Sequence, residues 1–342
     1  MIVLIFIKIN KMENKLSRRK FLSSAATVAA FSAIPISYGF KSWDLGLKDA
    51  KPNSKFGGVQ IGAITYSWRS MPGTPKDIIS YFLQAGINDL ELMGNVAEDY
   101  LGIPQGPPRP PRGVEQTKEQ KAEYEKAAAI ATEAQRKWRI SLPVKKYSGL
   151  RKMFNDAGIN IHIIKFSPAN WTDEEIDYAF NAAKAIGAKG VCNEIGDEAC
   201  KRLGPFAEKH KMYAIFHQHG QPAEPGWNFD KFLAYSPNNM LNFDAGHYFG
   251  STGLHPNDLI KRLHTRIVSI HMKDKTGPKS TPANTNQVWG KGEMPIADVL
   301  LLLKKEKWPI YVDIELEYEV PADSDAAKEV AKCAEYAKKI LS

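Results

Sequence analysis

Three cysteines in 342 residues are too few for a disulfide framework, and Cys192, Cys200 and Cys333 form no C-x-x-C pair. A zinc ribbon is excluded with it, and Cys192 reads as a small buried residue. No cysteine closes the N-terminal leader, which argues against a lipoprotein anchor. A glycine-rich phosphate fingerprint is missing after the first strand-like segment, so a doubly wound nucleotide-binding sheet is not indicated. No other phosphate cradle appears, and we expect a non-phosphorylated ligand. Beyond the leader, no run is long and apolar enough to cross a membrane. Charge of one sign is also scarce once the leader is set apart. The chain carries +8, but residues 1–39 hold Lys8, Lys11, Lys15, Arg18, Arg19 and Lys20 against Glu13, leaving +3 for the remainder. That balance offers no support for a nucleic-acid partner.

The leader itself is informative. "SRRKFLSSAATVAAFSAIPISYG" joins Arg18-Arg19 to Phe21-Leu22 and a modest apolar run. It resembles a twin-arginine (Tat) export signal. We expect a signal peptide over 1–39, a polar linker over 40–57 and a periplasmic domain over 58–342 with no stable membrane insertion after cleavage. The alternative is an uncleaved leader that tethers the protein to a membrane. Met12 would begin a signal of ordinary length, so the start lies at Met1 or Met12.

From residue 58 onward, strand-like and helix-like segments alternate. The strands read "VQIGAITYSW", "INDLELMG", "INIHIIKFS", "AKGVCNEI", "MYAIFHQH", "NMLNFDAGH", "RIVSIHMKD" and "PIYVDIELE". Helices between them carry start signals, such as Thr74 before Pro75 and the Thr172–Glu175 capping box. Eight such units predict an α/β fold, a (β/α)8 TIM barrel forming one domain. On strand seven, Val268, Ile270 and Met272 are expected to face outward, with Ser269, His271 and Lys273 facing the axis. Strands two and three are separated by too much chain for one connection. We read an insertion at about 100–143, comprising the Pro-rich "GIPQGPPRPPRG" and a charged helix, either a lid or a solvated excursion.

Barrel chemistry gathers at the C-terminal strand ends. There the sequence places Glu91, Lys165, Glu194, His217 and His219, then Asp244, His247, His271, Lys273, Glu315 and Glu317. Buried charges of this number need a shared cation or a solvated pocket. Carboxylates and imidazoles without a thiolate suit one divalent cation: Mn²⁺, Mg²⁺, Co²⁺ or Zn²⁺. Trp68, Trp171, Trp227 and Trp289 follow strand ends, where indoles can cover the apolar face of a sugar.

The order D-x-x-H (Asp244, His247), R-I-x-x-x-H-x-K-D (Arg266 to Asp274), W-G-x-G (Trp289 to Gly292) and I-E-x-E (Ile314 to Glu317) resembles the xylose isomerase-like barrels of the sugar isomerase/epimerase superfamily. The resemblance implies Asp244, His271 and Glu315 as metal ligands, with His247 and Lys273 beside the substrate. It also implies a glutamate ligand on strand five, where this chain has His217-Gln218-His219. That H-x-H is similar to the inosose dehydratase and keto-glycoside eliminase branch. We expect one of the two histidines to bind metal and the other to act as acid/base. The assignment is Glu194, His219, Asp244, His271 and Glu315 to metal, and His217, Glu315, Lys273 and His247 to catalysis. Glu91, Lys165, Trp68 and Trp289 are assigned to the substrate. The expected activity is isomerisation or epimerisation of a carbohydrate through a metal-stabilised enediolate. Elimination of a β-substituent from a keto-sugar or 3-keto-glycoside is the alternative, and a silent sugar-binding barrel is a further one.

Overall fold

The structure, a computed structural model, describes residues 51–342 apart from residue 112. The expected leader and residues 40–50 of the linker lie outside the described residues. Lys55–Phe56, assigned to the linker by sequence, instead pair antiparallel with the first barrel strand.

Aliphatic runs bounded by turn residues form eight parallel strands. They are β1 (Val59–Ile64), β2 (Asp89–Met93), β3 (Asn160–Lys165), β4 (Gly190–Glu194), β5 (Tyr213–His217), β6 (Asn239–Asp244), β7 (Ile267–Met272) and β8 (Tyr311–Ile314). Each pairs with its neighbours in chain order. β8 returns to β1 through Tyr311↔Gln60, so the barrel closes and leaves no edge. Gly62 is required at this closure. A Cβ there would lie 2.3 Å from the Asp89 carbonyl oxygen and 2.8 Å from Asp313 Oδ1.

Helices α1 (Pro75–Ala85) and α2 (Gly94–Leu101) follow the first two strands; α3 (Lys118–Ser141) and α4 (Lys145–Asp156) precede β3. Next come α5 (Asp173–Ile186), α6 (Asp197–His210) and α7 (Phe229–Leu233), then α8 (Ala245–Thr252), α9 (Pro256–Leu263), α10 (Ile296–Glu306) and α11 (Ala326–Leu341). Thr74 and Thr172 make the expected capping interactions with Asp77 and Glu175. None of the described helices is long and apolar enough to cross a membrane.

The strands end earlier than the apolar pattern suggests. β1 stops at Ile64, and Thr65–Trp68 turn as a 3₁₀ segment. β6 stops at Asp244 because Oδ1 of that residue accepts from the His247 backbone N–H at 2.7 Å and caps α8. His247 therefore sits on a helix. Two bulges also reset the register: Leu90/Glu91 face Ile161/Ile163, and Leu241/Asn242 face Ile267/Ser269. The second corrects the simple alternation on strand seven. Ile270 and Met272 pack under the helices, but Val268 joins Ile163, Cys192, Ile215 and Met240 in a separate apolar cluster.

The insertion is tied to the helical layer. Arg139 of α3 reaches Glu98 at 2.8 Å and Glu175 at 3.0 Å, and its guanidinium lies 3.9 Å from the Trp171 ring centroid. All three charged residues are buried, so the triad compensates its own desolvation.

Candidate active site

Four successive strand ends each deliver one polar group to the mouth. β5 ends on His217, β6 on Asp244, β7 carries His271, and Glu315 follows β8. One donor atom from each of these four buried residues lies within 4.8 Å of the others. His217 Nε2 is 3.3 Å from Asp244 Oδ2, and His271 Nδ1 is 2.9 Å from Glu315 Oε2. Two bonds of about 2.1 Å to one ion span about 4.2 Å at most, so small side-chain adjustments bring this donor set to bonding distance. Two imidazoles and two carboxylates fit a first-row divalent cation or magnesium.

Positive charge already converges on the same oxygens. Lys273 is buried, with Nζ 2.9 Å from Asp244 Oδ2, 2.5 Å from Glu315 Oε2 and 2.7 Å from Glu317 Oε2. Gly246 gives it passage, since a Cβ at that position would lie 2.2 Å from Lys273 Cγ. Burial disfavours the ammonium, but the three carboxylates outweigh it and hold the Lys273 pKa above the ordinary lysine range. Burial likewise opposes ionisation of Asp244 and Glu315. Lys273 dominates the opposing effect and keeps both below the usual carboxylate range.

Behind each histidine stands a carboxylate. His271 Nε2 is 2.7 Å from Glu91 Oε2, which also accepts from Asn242 Nδ2 at 2.7 Å. His217 Nδ1 is 3.2 Å from Glu194 Oε2, and Lys165 Nζ holds the other Glu194 oxygen at 2.7 Å. A carboxylate on the outer nitrogen fixes the tautomer and leaves the inner nitrogen's lone pair for a cation. Burial disfavours the His271 imidazolium, yet Glu91 and Glu315 raise its pKa well above the ordinary value. Metal binding here must displace that proton.

These contacts revise the sequence assignment. Glu91 is fully buried behind the His271 ring, so it orients a member of the four-donor group and does not line the mouth. Lys165 holds Glu194 in the same supporting manner. Glu194 and His219 lie outside the four-donor group; they form a second group with His217, and His219 Nε2 is 3.2 Å from Glu194 Oε2. His217 is thus the strand-five member of the main group, because β5 ends there and His219 has already entered the loop. Trp68 is 1% exposed and packs on Tyr81 and Phe82, while Trp289 packs edge-on to Tyr336. Burial in the helical layer turns both indoles away from the ligand role expected of them.

At the rim, His219 and His247 stack with centroids 4.9 Å apart. Burial lowers both pKa values, that of His247 to about 4. His247 Nε2 also lies 3.6 Å from Glu317 Oε2. Sequence reasoning missed Gln218 and Asn242. Gln218 exchanges two hydrogen bonds with the Asp244 backbone, at 2.6 and 3.1 Å, and so locks β5 to β6. Asn242, two residues before Asp244, was legible from strand alternation as an inward group. The motif aspartate Asp274 accepts from the Gly290 and Gly292 backbone N–H groups at 2.8 and 2.9 Å, so W-G-x-G is a loop built around it.

The profile of the xylose isomerase-like TIM barrel family matches residues 120–337, which include every member of the four-donor group. The chain belongs to this family. No curated protein sequence matches it. Among solved structures it is similar to a sugar phosphate isomerase/epimerase from Parabacteroides distasonis ATCC 8503, with 18% identity, TM-score 0.53, and coverage of 83% of this chain and 96% of that one. A probable 3-DHS dehydratase, AsbF, involved in petrobactin synthesis from Bacillus anthracis shares 14% identity at TM-score 0.54, over 81% of this chain and 98% of that one. A xylose isomerase domain protein from Alicyclobacillus acidocaldarius shares 13% identity at TM-score 0.55, over 82% and 98%. At these identities the likeness is one of fold.

Proposed function

We propose that this family barrel is a divalent-metal-dependent enzyme of the isomerase/epimerase type, acting on a non-phosphorylated carbohydrate by proton abstraction next to a carbonyl. The observation that carries the reading is the convergence of His217, Asp244, His271 and Glu315 from four successive strand ends within 4.8 Å of one another. A divalent cation, when bound, supplies Lewis-acid polarisation of a carbonyl oxygen. His217, Asp244, His271 and Glu315 would hold it, while Glu91 and Glu194 orient the two imidazoles.

The remaining residues handle protons and position the substrate. His219 and His247 stand at the rim with pKa values lowered by burial, so both are neutral near pH 7 and able to accept a proton. Lys273, a fixed ammonium between Glu315 and Glu317, offers hydrogen bonds to a substrate oxygen once a cation takes over part of its carboxylate contacts. The rim imidazoles and the single ligand carboxylate on β8 make the two sides of the site chemically unlike. That asymmetry favours the second reading, elimination of a β-substituent, over symmetric epimerisation with matched carboxylates.

Incubating the metal-loaded protein with keto-sugars in D₂O tests the reading. Deuterium entering next to the carbonyl supports it, and release of water or an aglycone decides for elimination. No exchange with any divalent cation across hexoses and pentoses would overturn it. Export through the Arg18-Arg19 leader belongs to the same proposal. Changing both arginines to lysine should retain the protein in the cytoplasm, and unchanged periplasmic recovery would refute that part.

A further inference from the structure

Arg139, Lys273 and Lys275 are the buried lysine and arginine side chains among the described residues, and two of them are ion-paired. Arg139 bridges Glu98 and Glu175, and Lys273 bridges Asp244, Glu315 and Glu317. Lys275 differs. Its Nζ donates to Asn286 Oδ1 at 3.0 Å and pairs with no carboxylate among the described residues. A buried charge without a partner costs the fold stability, so an anion that binds beside it recovers part of that cost.

The backbone aims this side chain along the mouth. Lys275 lies two residues beyond Lys273, and alternation in extended chain puts both on one side. Helix α8 is cut away for each of them. Gly246 gives passage to Lys273, and one turn later a Cβ at Gly250 would lie 2.8 Å from Lys275 Cε. His247 stands between these two glycines. Burial lowers its pKa, and the charges of Lys273 and Lys275 add to the effect. Lys275 itself is fixed in place. It pairs with Asn286 in a short antiparallel ladder, and its carbonyl accepts from the Glu293 and Met294 N–H groups at 2.9 and 3.1 Å. Asn286 Nδ2 in turn donates to the Glu317 carbonyl at 3.4 Å, which ties Lys275 to the strand end that bears Glu315 and Glu317.

The other cations of the mouth already have partners, since Lys165 holds Glu194 and Lys273 holds Glu317. Asp274, next to Lys275 in the chain, turns its carboxylate to the Gly290 and Gly292 N–H groups. Burial and the Lys273 ammonium lower the Lys275 pKa, so the carboxylates deeper in the mouth leave its charge uncompensated. A carboxylate placed beside it would favour the charged form. An ammonium has three donors and Asn286 takes one, which leaves two for the oxygens of an incoming carboxylate. A phosphate, with nearly two charges, calls for more donors than one ammonium supplies. Lys273 Nζ touches Asp244 and Glu315, whereas Lys275 contacts no member of the four-donor group and so serves a part of the ligand away from it.

We infer that Lys275 binds a carboxylate of the substrate, and that the substrate is a sugar acid whose carboxylate lies at the end of the molecule away from the reacting carbonyl. The inference rests on the reading of the metal cluster as a carbohydrate site, and names the class of sugar it takes.

The test is equilibrium binding by calorimetry to the full-length protein loaded with Mn²⁺. Glucose and glucuronate, galactose and galacturonate, and mannose and mannuronate serve as matched neutral and acidic probes. At least one uronate should bind about tenfold more tightly than its neutral partner, the worth of one charge-assisted hydrogen bond. Lys275→Met, which keeps the length of the side chain and removes its charge, should abolish that preference and leave the neutral sugar and the Mn²⁺ affinity unchanged. Lys275→Gln gives the same readout if methionine disturbs the fold. No uronate preference in any pair overturns the assignment. So does a preference that survives in a folded variant, which would place the carboxylate on the Mn²⁺ ion, or an equal loss of affinity for both members of a pair. Because binding needs no turnover, a Lys275-dependent preference without deuterium exchange would refute the enzymatic reading alone, and exchange without preference would refute the carboxylate anchor alone.

Discussion

Replacing Glu91 with glutamine separates an orienting role from a substrate contact. Glu91 Oε2 accepts from both His271 Nε2 and Asn242 Nδ2 at 2.7 Å in a fully buried setting. Glutamine preserves shape and an acceptor but removes the charge. A hydrogen bond to a charged group contributes about 1.5–3 kcal/mol, against about 0.5–1.5 for a neutral one. The bond to His271 therefore weakens by about 1–1.5 kcal/mol, close to tenfold in metal affinity, at the low end of the 10–100-fold typical of such partners. Glu91 also stabilises the proton that competes for His271, so the loss should grow as pH rises and that competition fades. Alanine is less diagnostic, since it strands two buried donors at about 1–3 kcal/mol each and threatens the fold. The assay is Mn²⁺ titration against a chromophoric chelator at several pH values between about 6 and 9, where histidine competition changes most, with circular dichroism as the fold control. Affinity unchanged at every pH in a folded variant would refute the reasoning. An intact metal affinity with a raised KM would return Glu91 to the substrate.

His217→Ala should lose metal by at least about 100-fold, as expected for a direct ligand with a buried partner left behind, whereas His219→Ala should stay close to wild type. Metal analysis after gentle purification checks both, and the opposite order would reverse the assignment. Asp89, with its pKa raised to about 6 by burial, stabilises the folded state only when protonated. Its contribution is complete below the unfolded value near 4 and is lost as pH rises through about 6. Asp89→Asn, which keeps the acceptor for Asn160, should gain about 1–3 kcal/mol at pH 7.5 by urea denaturation and show less pH dependence than wild type between about 4 and 6; equal stability at pH 7.5 would contradict this. Arg139→Ala should cost about 3–5 kcal/mol, because Glu98 and Glu175 are left as buried charges without their partner. A loss below about 1 kcal/mol would show that α3 is held by other contacts.

Period-two apolar runs, helix start signals and their eightfold alternation made the barrel legible, since each is a local property of the chain. Asp244, His271 and Glu315 were legible as strand-end polar residues for the same reason, but only the resemblance of their motifs to the family set them apart from the others as a group. The choice between His217 and His219 was not, because it depends on where β5 stops. Gln218, the residue after β5, hydrogen-bonds the Asp244 backbone on β6, a contact between distant parts of the chain. The outward face of Val268 was misread because a bulge is a property of a strand pair.

Composition and local order thus specify an inventory: eight strands, their inward polar residues and a donor set suited to a divalent cation. Division of labour within that inventory came from barrel closure. Glu91 and His271 stand 180 positions apart in the chain and 2.7 Å apart in space. Only such a closure distinguishes a carboxylate that lines the mouth from one that stands behind a ligand. Burial then settled Trp68 and Trp289 in the same way, because an indole after a strand end can turn toward the axis or the helices. Sequence spacing is the same in both cases; the packing that surrounds the ring is not.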